Sequence, residues 1–445
     1  MLLDESLHGG FERRDVQIRH VRRVARSDVA LNPGGERLLL HTPTPDYGVI
    51  EWDPVTGTHD FSVRVTDQSG ATTEFSWQVV TDDDAFVFVD ATAGDDTAAG
   101  DIDHPLATFA GLWNRSFAGR IAVFREGTYE VFATADAPSP ILDRTRTPNA
   151  LVGFPGESVT FDMSRGHFRT SIPRFGASDF LATGIDFVGS RADLRNNRLF
   201  NITRRQSRMT FWDCSFDSNT AGTDPRDNPG AITFMSDGGY HENIAVIGCR
   251  LGSGAKTQLI VTFDSNHVLL EGNRAVGVNM PANNGSNFLN AKDDTNNLTV
   301  RNNFFQGGAS SAITNYNQIT LDSAANQELC WNTAIFDGMG VSAAISINGS
   351  SNTPAATNTY VYRNTVISQQ DAFRFLGGMP PSPPLFEGNA YFSAGRGVFG
   401  SDKVTTSAIA NVELAETDFG TRGEFVGSAR AMHGGLAGAE VLALP

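Results

Sequence analysis

Several features are scarce in this chain of 445 residues, and each scarcity excludes a class of protein. No apolar run reaches the roughly 18 residues of a membrane-spanning helix, so no membrane segment is predicted. The three cysteines, Cys214, Cys249 and Cys330, fit neither a Cys-x-x-Cys metal pair nor an even disulfide framework. Basic residues number 34 against 50 acidic ones, and the net charge of -16 argues against a nucleic-acid partner.

What the chain contains favours short strands joined by turns. Apolar residues make up 40% of the sequence and charged residues only 19%, while there are 45 glycines. No long amphipathic helix is visible, and glycine-rich chains of this kind suit all-β architectures. We therefore expect an all-β protein with ample apolar surface for a core.

The first third of the chain predicts two small units. Residues 1–30 are rich in arginine and lack a clear period, so we expect a connecting or anchoring segment. Residues 31–81 alternate apolar and polar positions around a turn at 67–70, which predicts two strands and a hairpin. The alternating apolar positions are Phe61, Val63, Val65, Phe75, Trp77 and Val79. This stretch resembles the immunoglobulin-like and cadherin-like modules of bacterial surface proteins, which implies a small β-sandwich.

The next 45 residues or so look like the opening coil of a solenoid. FVFVDATAGDDTAAGDIDHPLATFAGLW contains a Val-Asp strand, a Gly-Asp-Asp loop and a short helix led by proline, and an apolar strand ending in Gly-Thr-Tyr follows. The stretch resembles the start of pectate-lyase-like β-helices. The resemblance implies that residues 85–430 form one right-handed parallel β-helix, and residues 431–445 would then be a C-terminal tail.

A repeat after residue 180 independently predicts stacked coils. The segments TFWDCSF, AVIGCRL, LLEGNRA, TVRNNFF, LCWNTAI, VYRNTVI and LFEGNAY share one small or polar position. We assign that position to Cys214, Cys249, Asn273, Asn303, Thr333, Thr365 and Asn389. Equivalent positions of parallel coils lie about 4.8 Å apart, so the asparagines should form a hydrogen-bonded ladder inside seven or eight coils. Cys214 and Cys249 should fill the same slot as small packing groups.

The strand before each ladder position predicts a polar strip on the outer face. Period-2 alternation places the strip's members outward, and they are Thr233, Thr262, Asp264, Asn290, Lys292, Thr314, Tyr316, Ser346, Asn348 and Arg374. Such a strip would follow a sugar chain. Of these residues we expect Thr262, Asp264, Asn290, Asn348 and Arg374, together with Asp294, to bind substrate.

Lys292 and Tyr316 are the candidate catalytic pair. Only three lysines occur in the chain, and this one lies in the middle of the strip. β-Elimination of a uronic-acid polymer needs a base and an acid, for which a lysine and a tyrosine would serve. FLNAKDDTNNLTVRNNFF resembles the catalytic-lysine coil of alginate and chondroitin lyases. Thr314 to Tyr316 stand where that family has an arginine, and the neighbouring Asp293 and Asp294 would raise the pKa of Lys292, which opposes a role as base.

Other chemistries remain open. Asp264 with Asp293 and Asp294 would suit glycoside hydrolysis by paired carboxylates. We expect no cofactor, although the oxygens of Asp264 and Asn266 beside His267, a predicted turn residue, would suit Ca²⁺. Nine arginines against three aspartates between residues 165 and 208 form a basic stretch that would focus an anionic ligand.

The leading hypothesis is a depolymerase of an acidic polysaccharide, of the lyase or phage-spike type. The rival hypothesis is a non-catalytic virion or cell-surface structural or adhesion protein. The polar start MLLDESLHGGFERRD does not resemble a signal peptide. The extracellular type of the modules nevertheless leads us to expect a protein that works outside the cell or on a virion, and the chain would then be a mature fragment, use another secretion route or be released by lysis. A homotrimer or a larger assembly, with no membrane partner, would fit both hypotheses.

Overall fold

The architecture is that of a computed structural model. It describes residues 14–20, 29–30, 57–67, 72–132, 148–166, 168–169, 180–189, 198–203, 205–217, 230–235, 239–252, 258–280, 287–292, 294–309, 319–322, 326–336, 343–348, 358–376, 383–406 and 411–419. Short segments of 3-10 helix lie at Asp83–Ala85, Ser401–Lys403 and Glu416–Asp418. No helix in these ranges is long and apolar enough to cross a membrane.

The N-terminal strands form one antiparallel sheet. Its strands are β1 (Arg14–His20), β2 (Val29–Ala30), β3 (Gly57–Asp67) and β4 (Thr72–Thr81), in the order β2-β1-β3-β4. The predicted hairpin is confirmed, because Phe61 of β3 pairs with Trp77 of β4. Strand β1 also pairs with β3, so the sheet extends into the first 30 residues. The second sheet that an immunoglobulin-like sandwich requires stays a prediction.

The rest of the described chain is a right-handed parallel β-helix with three sheets. The described residues between 86 and 162 contribute strands to sheets 2 and 3 only, and between residues 168 and 393 the chain visits sheets 1, 2 and 3 in turn. Sheet 1 comprises β10 (Phe168–Arg169), β13 (Arg198–Ile202), β16 (Gly230–Phe234), β19 (Gln258–Phe263), β22 (Asn287–Lys292), β25 (Ile319–Asp322), β28 (Ala343–Asn348), β31 (Asp371–Leu376) and β34 (Val398–Phe399). Sheet 2 comprises β5 (Phe86–Val89), β6 (Ile121–Phe124), β8 (Ala150–Gly153), β11 (Phe180–Thr183), β14 (Ser207–Trp212), β17 (His241–Ile247), β20 (Ser265–Glu271), β23 (Asn296–Arg301), β26 (Gln327–Cys330), β29 (Thr359–Tyr362) and β32 (Leu385–Glu387). Sheet 3 comprises β7 (Gly127–Glu130), β9 (Val159–Asp162), β12 (Asp186–Val188), β15 (Ser215–Asp217), β18 (Arg250–Leu251), β21 (Arg274–Met280), β24 (Phe304–Ala309), β27 (Thr333–Phe336), β30 (Thr365–Ser368), β33 (Ala390–Ser393) and β35 (Val412–Glu413).

The described part of the solenoid has more coils than the sequence repeat predicted. Sheets 2 and 3 contain eleven strands each, which corresponds to a stack of about 50 Å at the usual strand spacing. The early coils lack the asparagine motif. In the coil before that of Cys214, Ile185 occupies the ladder position and is buried. An apolar residue at that position gives no sequence signal distinct from the rest of the core.

A tight turn between sheets 2 and 3 sets the shape of every coil. Its first residue is left-handed, with φ of 62° at Gly248 and 59° at Trp331, and the next side chain points inward. Six successive asparagines occupy this inward position, namely Asn273, Asn303, Asn332, Asn364, Asn389 and Asn411. We call this row the inner ladder.

The inner ladder confirms the predicted stacking and corrects two of its members. The amide of Asn303 donates to Asn332 Oδ1 at 2.9 Å and to the Leu270 carbonyl at 3.0 Å, so it is fully paired. Thr333 and Thr365 were wrong assignments, because each follows the ladder asparagine by one residue and begins the next strand. Cys214 and Cys249 occupy equivalent positions one coil apart, and all three cysteines are free thiols and buried.

Aromatic stacks fill the first coils, and a short helix covers their end. Phe168 stacks on Phe200 with ring centroids 4.7 Å apart, close to the coil spacing. The predicted helix is α1 (Phe109–Asn114), which is capped by the Thr108 hydroxyl and buries Phe109 and Leu112. An end cap of this kind keeps the open end of a solenoid from exposing its core.

Candidate functional site

Polar side chains gather where the strands of sheet 1 end and those of sheet 2 begin. Adjacent coils are in direct register there: Phe263 pairs with Lys292, and the His241 N–H donates to the Asp264 carbonyl at 2.8 Å. We call this region the corner surface, and its members are Met235, Tyr240, Glu242, Asp264, Asn266, His267, Lys292, Asp294, Asn297, Asn326 and Asn358.

Apolar and acidic groups meet at one end of the corner surface. Met235 is 43% exposed and Tyr240 is 38% exposed, which is unusual for large apolar side chains. The pKa of Tyr240 is raised, first by partial burial and then by the negative charges of Asp294, Asp264 and Glu242. The phenol therefore keeps its proton in basic solution and sits in a negative field from three coils.

A row of amides runs along the axis from the same place. Glu242 Oε2 accepts from Asn266 at 3.1 Å and lies 3.5 Å from His267 Nδ1. The row continues as each asparagine donates to the preceding one, with Asn297 to Asn266 at 2.6 Å, Asn326 to Asn297 at 2.9 Å and Asn358 to Asn326 at 3.0 Å. We call this row the outer ladder.

The outer ladder was not predicted from the sequence, although the sequence contains a signal for it. A left-handed residue lies six residues before Cys214 and Cys249 and before the first four asparagines of the inner ladder, Asn273 to Asn364. These residues are Arg208, Asn243, His267, Asn297, Asn326 and Asn358, with φ between 50° and 58°. Asparagine tolerates the left-handed conformation better than most residues, so a recurring asparagine six residues before the ladder position is the sequence signal for the outer ladder.

Three predicted site residues lie on the corner surface. Lys292 is the last residue of β22 and is half-buried, and the core positions of Leu289 and Ala291 agree with its predicted outward direction. Asp264 and the exposed Asp294 are left-handed turn residues, with φ of 42° and 64°. Their predicted roles in substrate binding and catalysis remain proposals.

Tyr316, the predicted partner of Lys292, lies outside the described residues. In sheet 1 the place between β22 and β28 is occupied by β25 (Ile319–Asp322). The same register pairs Thr320 with Asn290 and Leu321 with Ala291. The run ITLD suits a β-strand as well as the run around Tyr316 does, so the sequence alone could not decide which of the two forms the strand of sheet 1 in this coil.

Thr262 was wrongly predicted to face outward. It is fully buried, and Thr295 Oγ1 lies 3.2 Å from its hydroxyl. Thr262 pairs with Ala291 and Phe234, both core residues, so Ile260 and Thr262 are the inward positions of β19. Threonine counts as polar in a sequence pattern, which predicts an outward direction. A threonine hydroxyl that has a hydrogen-bond partner is nevertheless tolerated inside a coil.

The other predicted binding residues are spread along sheet 1. Asn290 faces outward between Leu289 and Ala291, yet it is only 3% exposed, and its Oδ1 has no hydrogen-bond partner within the part of the chain that the structure describes. Arg374 is half-buried, with its guanidinium 5.5 Å from the Phe399 ring centroid. Asn348 ends β28 in register with Asp322, and its side chain lies outside the described residues.

No group of three or more His, Cys, Asp or Glu side chains within the described ranges is arranged to hold a metal ion. The oxygens of Asn266, considered for Ca²⁺, are part of the outer ladder, where Oδ1 accepts from Asn297. Calcium binding at this turn stays a prediction.

Comparison with known proteins gives structural similarities only. No protein-family model and no curated protein matches the sequence. The chain is similar to a rhamnogalacturonan lyase, with 11% identity, 79% of this chain and 99% of the other covered, and a TM-score of 0.42. It is also similar to a family GH136 lacto-N-biosidase from Eubacterium ramulus (10% identity, 74% and 67% covered, TM-score 0.38). A family 28 exopolygalacturonase from Yersinia enterocolitica gives 10% identity, 93% and 98% coverage and a TM-score of 0.33.

Proposed function

We propose that the chain binds a polysaccharide across the corner surface and cleaves it there. The observation that carries this proposal is the exposed Tyr240, which lies in the negative field of Glu242 on its own coil and of Asp264 and Asp294 on the next two coils. A sugar ring has an apolar face and a rim of hydroxyls. An exposed aromatic ring suits the face and carboxylates suit the hydroxyls, so the two together favour a carbohydrate over a purely apolar ligand.

The outer ladder favours a polymer over a single small sugar. It presents amide groups from Asn266 to Asn358 at the coil spacing of about 4.8 Å along the axis. A repeating ligand lying parallel to the axis would meet an equivalent amide at each step. A monosaccharide would use one or two of these groups and leave the rest of the row unoccupied.

Hydrolysis by paired carboxylates is the reaction that this surface supports best. One carboxylic acid protonates the glycosidic oxygen, while a second carboxylate attacks the anomeric carbon or activates a water molecule. Asp264 and Asp294 are on adjacent coils and both act on Tyr240 electrostatically. The neutral phenol of Tyr240 would donate a hydrogen bond to the bound sugar.

β-Elimination is the second candidate reaction, because Lys292 faces outward on the same surface. In that reaction Lys292 takes the C5 proton of a uronic acid, and a tyrosine returns a proton to the leaving oxygen. Elimination leaves an unsaturated sugar that absorbs ultraviolet light, whereas hydrolysis does not. Product absorbance therefore separates the two reactions.

The test is a cleavage assay on alginate, pectate, hyaluronan, chondroitin and neutral glucans. New reducing ends report cleavage by either reaction. If hydrolysis is correct, Asp264→Asn and Asp294→Asn should each lower kcat by about a hundredfold or more. If elimination is correct, Lys292→Ala should do so instead.

Two matched variants control for charge removal elsewhere. Asp103→Asn changes an exposed carboxylate of an early loop, and Lys403→Ala removes a lysine near the C-terminal end of the described solenoid. Both should keep the activity of the unmodified chain. Full activity in all three corner variants would reject the corner surface as the catalytic site. Absence of cleavage and of binding on every polymer would favour the structural or adhesion role.

A further inference from the structure

A buried arginine lies on the outer face of sheet 1. Arg198 begins β13 and pairs in register with Gly230 of β16. Its Nη1 donates to the hydroxyl of Thr233. Thr233 lies between Ile232 and Phe234, which both belong to the core, so its own side chain points away from the core. The guanidinium is therefore held against the outward side of the sheet.

No opposite charge balances Arg198 among the described residues. Only 6% of the residue is exposed, and its hydrogen-bond partner is a neutral hydroxyl. Taking an ion out of water costs several kcal/mol unless a counter-charge accompanies it. Desolvation accordingly lowers the pKa of Arg198 to about 10, and the group stays cationic at neutral pH.

We propose that Arg198 and Thr233 form a binding site for an oxyanion, either the carboxylate of a uronic acid or a sulfate ester, on the polysaccharide. The guanidinium fork matches the two oxygens of such a group. Thr233 is fully buried, and its hydroxyl accepts from Arg198 and holds the guanidinium in place, so the N–H groups at the 6% exposed edge of Arg198 are the donors that meet the anion. This inference rests on the proposed function, since it assigns the substrate an acidic character.

Two further features fit an anion at this place. Arg198 belongs to residues 165–208, a stretch that contains nine arginines and three aspartates, although the whole chain has a net charge of -16. A local positive field of this kind draws an acidic polymer toward one region of an acidic protein. Met235 of the corner surface follows Thr233 by two residues, a distance of about 7 Å along an extended strand. One polymer would therefore reach both sites.

The test compares the unfolding midpoint temperature of the full chain in glucuronate, sulfate, chloride and galactose at matched ionic strength. The unmodified chain should be stabilised by glucuronate or sulfate over chloride, and not by galactose. The stronger of the two anions identifies the carboxylate or the sulfate source. Arg198→Gln should raise the half-saturating anion concentration by about tenfold or more, the effect expected from losing a charge-assisted pair.

The same variant separates a binding role from a structural one. In chloride, Arg198→Gln should unfold at the same temperature as the unmodified chain or higher, because an unbalanced buried charge has been removed. Arg250→Gln, which removes an exposed arginine from sheet 3, should keep the full anion response. If Arg198→Gln does not fold, Thr233→Val decides, and it should weaken the response while retaining the arginine.

A lower unfolding temperature in chloride combined with an unchanged anion response would overturn the proposal. So would an unchanged response in Thr233→Val. Neither readout requires cleavage, so the anion site can fail while the corner surface still cleaves a neutral polymer. An intact anion response together with inactive chain would instead count against the proposed function alone.

Discussion

Asparagine side chains form two ladders in this chain, one inside the coils and one on the surface. In the inner ladder the amides from Asn273 to Asn389 are buried and paired, as at Asn303 and Asn364. In the outer ladder the asparagines remain partly accessible, and the carbonyl oxygens of Asn266, Asn297 and Asn326 each accept one bond within the ladder. The inner ladder therefore supports stability, and the outer ladder has hydrogen-bonding capacity left for a ligand.

Replacing a member of the inner ladder should destabilise the fold. Asn303→Leu leaves the buried backbone N–H of Asn273 without its acceptor and removes one of the two partners of the Asn273 amide and of Asn332 Oδ1, which should cost about 1 to 3 kcal/mol of unfolding free energy. Chemical denaturation measures the change. Asn302→Gly is the matched control, because Asn302 is exposed and left-handed with φ of 55°, and a glycine fits there.

A change within about 0.5 kcal/mol is expected for Asn302→Gly, as for most surface substitutions. Equal stability of Asn303→Leu and the unmodified chain would mean that the stacked amides are not a source of stability.

His241 should make stability depend on acidity. It is fully buried, with Nδ1 accepting from the Gln206 N–H at 3.2 Å, and burial lowers its pKa to about 4. The unfolded chain protonates this histidine below about pH 6.5 while the folded chain does not. Stability from this group is therefore complete above pH 6.5 and is lost as the pH falls toward 4, by about 3 kcal/mol in total.

Unfolding midpoints of the unmodified chain and His241→Gln between pH 7 and 4 measure this effect. The variant should lose less stability over that interval, whereas His267→Gln, a partly exposed control, should follow the unmodified chain. Parallel pH curves for the unmodified chain and His241→Gln would contradict the assignment of a neutral buried imidazole.

The turn between sheets 2 and 3 is the element that fixes the coils at a common spacing. Two glycines near these turns differ in what surrounds them. A Cβ on Gly248 would meet nothing within 4 Å, although its φ is 62°. A Cβ on Gly153 would lie 2.2 Å from the carbonyl oxygen of Gly184 in the next coil.

Gly153→Ala should therefore destabilise the chain more than Gly248→Ala. The left-handed backbone alone should cost Gly248→Ala about 1 kcal/mol. Gly153→Ala forces two coils apart, and overpacking of this kind costs about 1 to 3 kcal/mol or more. Thermal unfolding of the two variants side by side gives the comparison. A greater loss of stability in Gly248→Ala would show that a left-handed backbone at the turn costs more than a steric clash between coils.

Elements with a strong local signal were predictable. The β3–β4 hairpin followed from period-2 alternation and its turn, and the coil repeat followed from a recurring motif. The assignments of Thr333 and Thr365 failed because asparagine and threonine are both small and polar, and the left-handed residue before the ladder decides which one points inward. The prediction that Thr262 faces outward was wrong because a threonine can point into the coil when its hydroxyl has a partner, here Thr295 from the next coil.

At the scale of the whole molecule, the β-helix could be predicted from the sequence, and the candidate site could be predicted in part. Lys292, Asp264 and Asp294 were singled out from residue type and spacing, and they lie on the corner surface. Tyr240, Glu242 and Arg198 were not, because their significance depends on contacts between residues 24 to 54 positions apart. Burial without a counter-charge is a property of the packed coils and leaves no motif.

The most direct test of the account is a crystal structure of the chain with an acidic oligosaccharide, chosen as the tightest binder among the polymers of the cleavage panel. The inactive Asp264→Asn or Asp294→Asn variant would hold an uncleaved ligand. We predict a sugar ring against Tyr240, hydroxyls on the outer ladder and an acidic group at Arg198. An oligosaccharide bound to another face of the solenoid, with the corner surface left empty, would contradict the central claim.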